Sequence, residues 1–200
     1  NHRIRRRQEA VILERTLSGG FSYAPVEAAH AFRAVMRAMA RPGTLETVAG
    51  VAPPAPLSVA AGVAVLVLCD ASMPVHLAGA HECRAVREWI AFHTGAPVGT
   101  RGEAMFALGT WAALGPLGAY PAGEPEFPDR SATLIVEMQR LEARGARLTG
   151  PGIKGAAALS LPEVAAFQEN AVWFPLGVDF VLCCGDRLAG LPRTCRVEAG

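Results

Sequence analysis

The chain has 200 residues, 51% of them hydrophobic, and a net charge of +1 from 19 Lys plus Arg against 18 Asp plus Glu. That length and apolar content can fill one core, and the near-neutral balance excludes a global pull toward nucleic acid or an anionic membrane. The longest apolar block, Val59–Cys69, falls short of the ~18 residues of a membrane span. The only lysine is Lys154, so Schiff-base chemistry would have a single candidate. The cysteines (Cys69, Cys83, Cys183, Cys184 and Cys195) are odd in number and form no C-x-x-C, which points to a reduced, cytoplasmic compartment.

Residues 1–15 read as a charged N-terminal extension, able to make about three helical turns, ahead of a single domain over 16–200. No apolar stretch of the secretory kind follows the basic start. Pro25 suits a helix N1 position, and apolar residues at Ala29, Phe32, Val35/Met36 and Met39 predict a core-facing helix from Val26 to Ala40, stopped by Pro42-Gly43. On its flank His30, Arg33, Arg37 and Arg41 form one positive stripe. A solvated face and a surface for a polyanion or an acidic partner both fit that stripe.

Thr44–Val48 reads as a strand, Ala52–Pro56 as a loop, Leu57–Leu68 as a buried helix or, alternatively, a strand, and Pro74–Ala78 as a strand. His81–His93 predicts a second amphipathic helix with Val86, Trp89, Ile90 and Phe92 inward, closed by Gly95. A strand at Met105–Leu108, a small helix or irregular piece around Trp111, and a loop at Pro121–Pro128 follow. Ala132–Met138 is a strong β run with Ala146–Thr149 as its expected antiparallel partner. After the Gly150-Pro151-Gly152 turn come a loop, a helix over Leu161–Asn170, and a hairpin pairing Phe180–Cys184 with Leu188–Leu191 about Gly185-Asp186. Interleaved helices and strands with hairpins predict an α/β three-layer sandwich around a mixed central sheet.

No string declares a reaction. P-loop, dinucleotide and nucleophile-elbow patterns are missing. L-T-G-P-G-I-K-G (Leu148–Gly155) is the nearest approach to a phosphate cradle, and Pro151 removes one of its donors. His76, His81 and Cys83 have a loosely metal-like spacing without a fourth ligand, so no metal is expected. His93 suits helix capping better than catalysis, and the spacing of Glu124, Glu126 and Asp129 names no chemistry.

Four strings taken together resemble one family. They are H-A-F-R-A-V-M-R-A-M-A-R-P-G (His30–Gly43), F-H-T-G-A-P (Phe92–Pro97), S-A-T-L-I-V with L-T-G-P-G-I (Ser131–Val136, Leu148–Ile153), and F-P-L-G-V-D…C-G-D-R-L-A-G-L-P-R-T (Phe174–Thr194). In order and spacing, from Thr16 to Glu198, they are similar to the H subunit of the bacterial carbon–phosphorus lyase core complex. Residues 1–15 have no counterpart in that pattern.

The resemblance implies a fold similar to aspartate-aminotransferase-type pyridoxal-phosphate enzymes, without that or any other cofactor. It implies a homodimer when alone, with G-, I- and J-type core subunits as partners. With the G, I and L subunits, such a protein helps make a ribose 1-alkylphosphonate 5-triphosphate from a nucleoside triphosphate and an alkylphosphonate. Adenine leaves as the phosphonate oxygen attacks C1′. A separate radical subunit then cleaves the carbon–phosphorus bond. The role implied is that of a subunit inactive alone; a stand-alone nucleotide- or phosphonate-binding protein is the alternative. Arg33, Arg37 and Arg193 are the candidates for phosphate or phosphonate contact or for an interface, with His30 and Asp179 orienting or relaying protons.

Overall fold

The computed structural model describes residues 4–6, 11 and 18–200, so the expectation for the 1–15 arm falls almost entirely outside the described residues. Helix α1 spans Ala24–Ala40, α2 Val59–Leu68, α3 Arg84–Thr94, α4 Trp111–Leu114 and α5 Val164–Val172. The strands are β1 (Glu46–Thr47), β2 (Val75–Leu77), β3 (Phe106–Thr110), β4 (Ala122–Glu124), β5 (Phe127–Ser131) and β6 (Thr133–Glu137). They continue with β7 (Ala146–Thr149), β8 (Ala157–Leu159), β9 (Asp179–Cys184), β10 (Arg187–Leu191) and β11 (Arg196–Glu198). The architecture is α/β with a mixed six-stranded central sheet, ordered β1-β10-β9-β6-β3-β2. β2, β3, β6 and β9 run parallel, and β10 and β1 close one edge antiparallel.

Alternation along the central strands divides the core in two. Ile135, Val181, Cys183 and Leu188 face α1, α2 and α3. Leu134, Val136, Phe180, Leu182 and Ala189 face α5 and a three-stranded sheet of β11-β7-β8. Cover on both faces explains why β6 and β9 read as near-continuous apolar runs. The hairpin of β9 and β10 forms as its sequence predicts, with Phe180 opposite Leu191 and Cys184 opposite Arg187.

Several expectations are corrected. β7 does not pair with β6, because β3 and β9 already occupy both edges of that strand. It pairs with β8 and β11 instead. Its pattern, Ala146 and Leu148 inside with Arg147 outside, suits a sheet with one wet face. The expected loop at Pro121–Pro128 contains β4 and the start of β5, and the loop before the last helix contains β8. The last helix starts at Val164 rather than Leu161.

The buried face of α1 is Ala31, Ala34, Val35 and Ala38, whereas Phe32 is 46% exposed and Met36 also faces outward. The physical cause is closeness to the sheet. A Cβ at Gly190 of β10 would lie 2.6 Å from both N and Cα of Met39, so only small side chains fit between helix and strand. On α3, Val86, Trp89 and Ile90 are buried as expected, but Phe92 is exposed. The turn at Gly150–Gly152 packs equally tightly on the end of α1, where a Cβ on Gly152 would meet the Ala40 carbonyl oxygen at 1.9 Å.

All five cysteines are unpaired. Burial pushes the Cys69 thiol up to about 12 and the Cys195 thiol up to about 11, with nearby Asp70 and Asp179 adding to it. Burial, then Glu137, holds Cys183 well above the ordinary thiol range. Since the thiolate is the reactive form, iodoacetamide should label only Cys83 and Cys184, the two partly exposed thiols, in the native protein. Peptide mapping that found native Cys183 labelled as fast as Cys184 would contradict this.

Candidate functional site

The five candidate residues fall into two groups. On α1, His30 and Arg37 line one groove of about 350 Å³, together with Glu27 and the segment from Thr47, the end of β1, to Gly50. Arg37 is held by Glu46 of β1 through two parallel bonds, Nε to Oε1 at 3.0 Å and Nη2 to Oε2 at 2.8 Å. That hydrogen-bonded guanidinium keeps the Glu46 carboxyl below its usual range, and Glu46 raises Arg37 in turn. A depressed carboxyl stabilises the fold above its unfolded value and loses that contribution as pH falls through the folded one. The Arg37–Glu46 pair therefore persists at neutral pH and opens only in acid. Arg33 is exposed on the same helix and makes no ion pair or hydrogen bond with the described residues.

Arg193 and Asp179 form the second group. The Arg193 backbone N–H donates to Asp179 Oδ1 at 2.8 Å, Nη2 lies 3.2 Å from Oδ2, and Nη1 donates to the Gly177 carbonyl at 2.6 Å. The Arg193 side chain is only 14% exposed. Asp179 opens β9, whereas Glu46 lies opposite Leu188, which in turn faces Cys183 near the other end of that strand. The pairs thus sit at opposite ends of the hairpin. The structure brings His30 together with Arg37, and Asp179 with Arg193, but does not gather all five.

A third polar cluster lies at the carboxyl end of β6, where parallel sheets commonly present ligand-binding groups. Glu137 Oε1 accepts the Ser58 N–H at 2.7 Å, and Ser58 Oγ in turn caps α2 by accepting from the Ala61 N–H at 3.1 Å. A carboxylate there is favoured by the positive end of the α2 dipole. His81, buried in the turn Gly79–His81 after β2, places Nε2 3.8 Å from the same Glu137 oxygen. Neither ring nitrogen of His81 has a hydrogen-bond partner among the described residues.

The sequence spacing linked His81 to His76 and Cys83. In the structure His76 has other neighbours, with Nδ1 3.2 Å from the Gly99 carbonyl oxygen and Arg101 Nε 3.4 Å from its Nε2. No three His, Cys, Asp or Glu among the described residues are placed to hold a metal. Glu137 carried one faint signal, a lone carboxylate closing an apolar strand.

Gly95, in the left-handed conformation, closes α3, while His93 packs its ring against Trp89 at 5.0 Å and Phe92 at 4.9 Å. Glu124, Glu126 and Asp129 lie along the β4–β5 hairpin, where all three are exposed.

Fold and site together define a mixed-sheet α/β protein whose charged groups are spread over strand ends and one helix face. The chain belongs to the bacterial phosphonate metabolism protein family (PhnH), whose sequence model matches residues 19–198. It is 40% identical over 190 residues to the Alpha-D-ribose 1-methylphosphonate 5-triphosphate synthase subunit PhnH of Rhizobium meliloti (strain 1021), covering 90% of this chain and 95% of that protein. It is also 35% identical over 82 residues to the "Putative C-P lyase subunit protein HtxG" of Stutzerimonas stutzeri, covering 38% of this chain and 42% of that protein.

Proposed function

We propose that this chain is a subunit of a carbon–phosphorus lyase core complex in phosphonate catabolism, inactive alone. In that complex it helps convert a nucleoside triphosphate and an alkylphosphonate into a ribose 1-alkylphosphonate 5-triphosphate. The observation that carries this reading is the end-to-end likeness to the Rhizobium meliloti synthase subunit, at 40% identity over 95% of that protein. G-, I- and J-type subunits are its partners, and it is a cytoplasmic homodimer when alone. Five unpaired cysteines support a reducing compartment, and among the described residues no helix is long and apolar enough to cross a membrane. We read the fold as similar to the aspartate-aminotransferase type without pyridoxal phosphate, a reading that rests on the sequence resemblance and with which the mixed sheet is compatible.

The reaction breaks the C1′–N bond to the base and forms a C1′–O bond to the phosphonate, so two polyanions must be brought together. Arg33, Arg37 and His30 are the groups we assign to that charge. Arg33 supplies an uncommitted guanidinium, Arg37 one pre-oriented by Glu46, and His30 shares its groove. Arg193 reaches an anion or an interface only by loosening from Asp179, so that pair orients more than it binds. In an assembled complex, Arg33→Ala should lower turnover at least about tenfold with co-elution intact.

Co-expression with the G-, I- and J-type subunits followed by size-exclusion chromatography tests the reading, with a common peak expected and separate elution contradicting it. The free Arg33 also favours a second reading, a stand-alone nucleotide- or phosphonate-binding protein. Calorimetric titration of the isolated chain with ATP and methylphosphonate separates the two, since the subunit reading expects no resolvable heat.

A further inference from the structure

Among the described residues, the only three consecutive exposed large hydrophobic residues lie at the C-terminal end of α5. Val172 is 81% exposed, Trp173 42% and Phe174 58%, and Pro175 beside them is also exposed. Monomeric surfaces rarely leave adjacent large apolar side chains in water, and clustered Trp and Phe are typical interface anchors. Next to the run opens a groove of about 360 Å³ between α5 and the segment after α4, walled by Trp111, Pro116, Leu117 and Trp173. Its floor is fixed from beneath, because Trp111 stacks on buried Phe167 with ring centroids 4.8 Å apart and 16° between planes. The Trp111 indole N–H donates to Glu163 Oε2 at 3.1 Å, which anchors the ring from the rim as well.

The charged side chains that line this groove are the carboxylates Glu163 and Glu169, neither with an ion pair among the described residues, while Arg101 stands behind the wall and donates to the Gly115 carbonyl at 3.0 Å. A polyanionic substrate is repelled by such a rim. The arginines of α1 lie on the other face of the central sheet, since α1 packs in one core cluster and α5 in the other.

We propose that the α5 groove and the Val172–Phe174 run form a docking surface for another subunit of the complex, one presenting an apolar side chain flanked by Arg or Lys. This rests on the subunit reading above. Carboxylates at the rim select a basic partner and steer its approach, while the aromatic floor supplies the buried anchor pocket. The α1 face carries Arg33 and Arg37, the latter paired with Glu46, and so offers a different charge pattern from the α5 groove.

The test co-expresses wild type, Val172→Glu/Phe174→Glu and Glu169→Arg with the G-, I- and J-type subunits and compares co-elution. All three altered positions are exposed, so the variants should melt with the wild type. The surface predicts a loss of co-elution of at least about tenfold for the double variant and a clear reduction for Glu169→Arg. Variants that co-elute as well as wild type overturn the surface and leave the subunit reading standing. A double variant that changes the oligomeric state of the isolated chain overturns it too, by making the face a contact between copies. Wild type that never co-elutes overturns the subunit reading and this proposal with it.

Discussion

Replacing Gly190 by Val should lower the melting temperature by roughly 6–12 °C, from about 3 kcal/mol of overpacking at 2–4 °C per kcal/mol for a chain of this size. The cost is steric and local. The space a Cβ would need lies 2.6 Å from Met39 N and Cα and 2.7 Å from the Ala38 carbonyl carbon. All three are backbone atoms of α1, so no rotamer change relieves the clash and the whole helix must lift from β10. Lifting α1 would also part Arg37 from Glu46, which bridges the same helix to β1. Gly190→Ala should move in the same direction by less. A Val variant melting within 2 °C of wild type would show that helix and strand are not in the close contact described.

Asn170→Ala should cost about 2–5 kcal/mol by leaving two buried backbone groups unpaired. Asn170 is 2% exposed at the end of α5, and its amide treats Val178 as a β partner. Nδ2 donates to the Val178 carbonyl at 2.9 Å, and the Val178 N–H donates to Oδ1 at 2.9 Å. Val178 is fully buried, so neither backbone group finds water once the amide is gone. Gly177 is needed beside it, since a Cβ there would sit 2.9 Å from Asn170 Oδ1. This contact sets where β9 begins, and with it the position of Asp179 under Arg193. Asn170→Asp keeps the acceptor for the Val178 N–H but turns an oxygen toward the Val178 carbonyl in a buried site, so it too should destabilise the protein. Chemical denaturation reads the difference directly. An Ala variant with an unchanged denaturation midpoint would remove this clamp from the account.

The parts of the fold legible in sequence were those with a strong local pattern. The β9–β10 hairpin shows two apolar runs about a Gly-Asp turn, and α3 shows its inner face through Val86, Trp89 and Ile90. What was not legible depended on partners distant in the chain. β8 and β11 are three residues each, and their pairing with β7 is decided by which edges the central sheet leaves open. The α1 periodicity placed Val35 in the core and Met39 against it, but it also marked Phe32 and Met36, which prove exposed because the close approach to Gly190 favours small residues on the inner face.

At the candidate site the same limit holds. The arginine stripe is readable from helical spacing, but that Glu46 engages Arg37 while Arg33 has no partner among the described residues depends on where β1 lies. His81 meets Glu137 only because β2 and β6 flank β3. Val172 and Trp173, just before the Phe174–Thr194 string, and Phe174 at its start prove to be an exposed apolar run, which no periodicity marks.

The most direct test of the central claim is an assay of alkylphosphonate-dependent adenine release from ATP. It compares this chain alone, the remaining core subunits alone, and the two mixed. The account predicts release only from the mixture. Release by the isolated chain, or undiminished release by the remaining subunits without it, would contradict it.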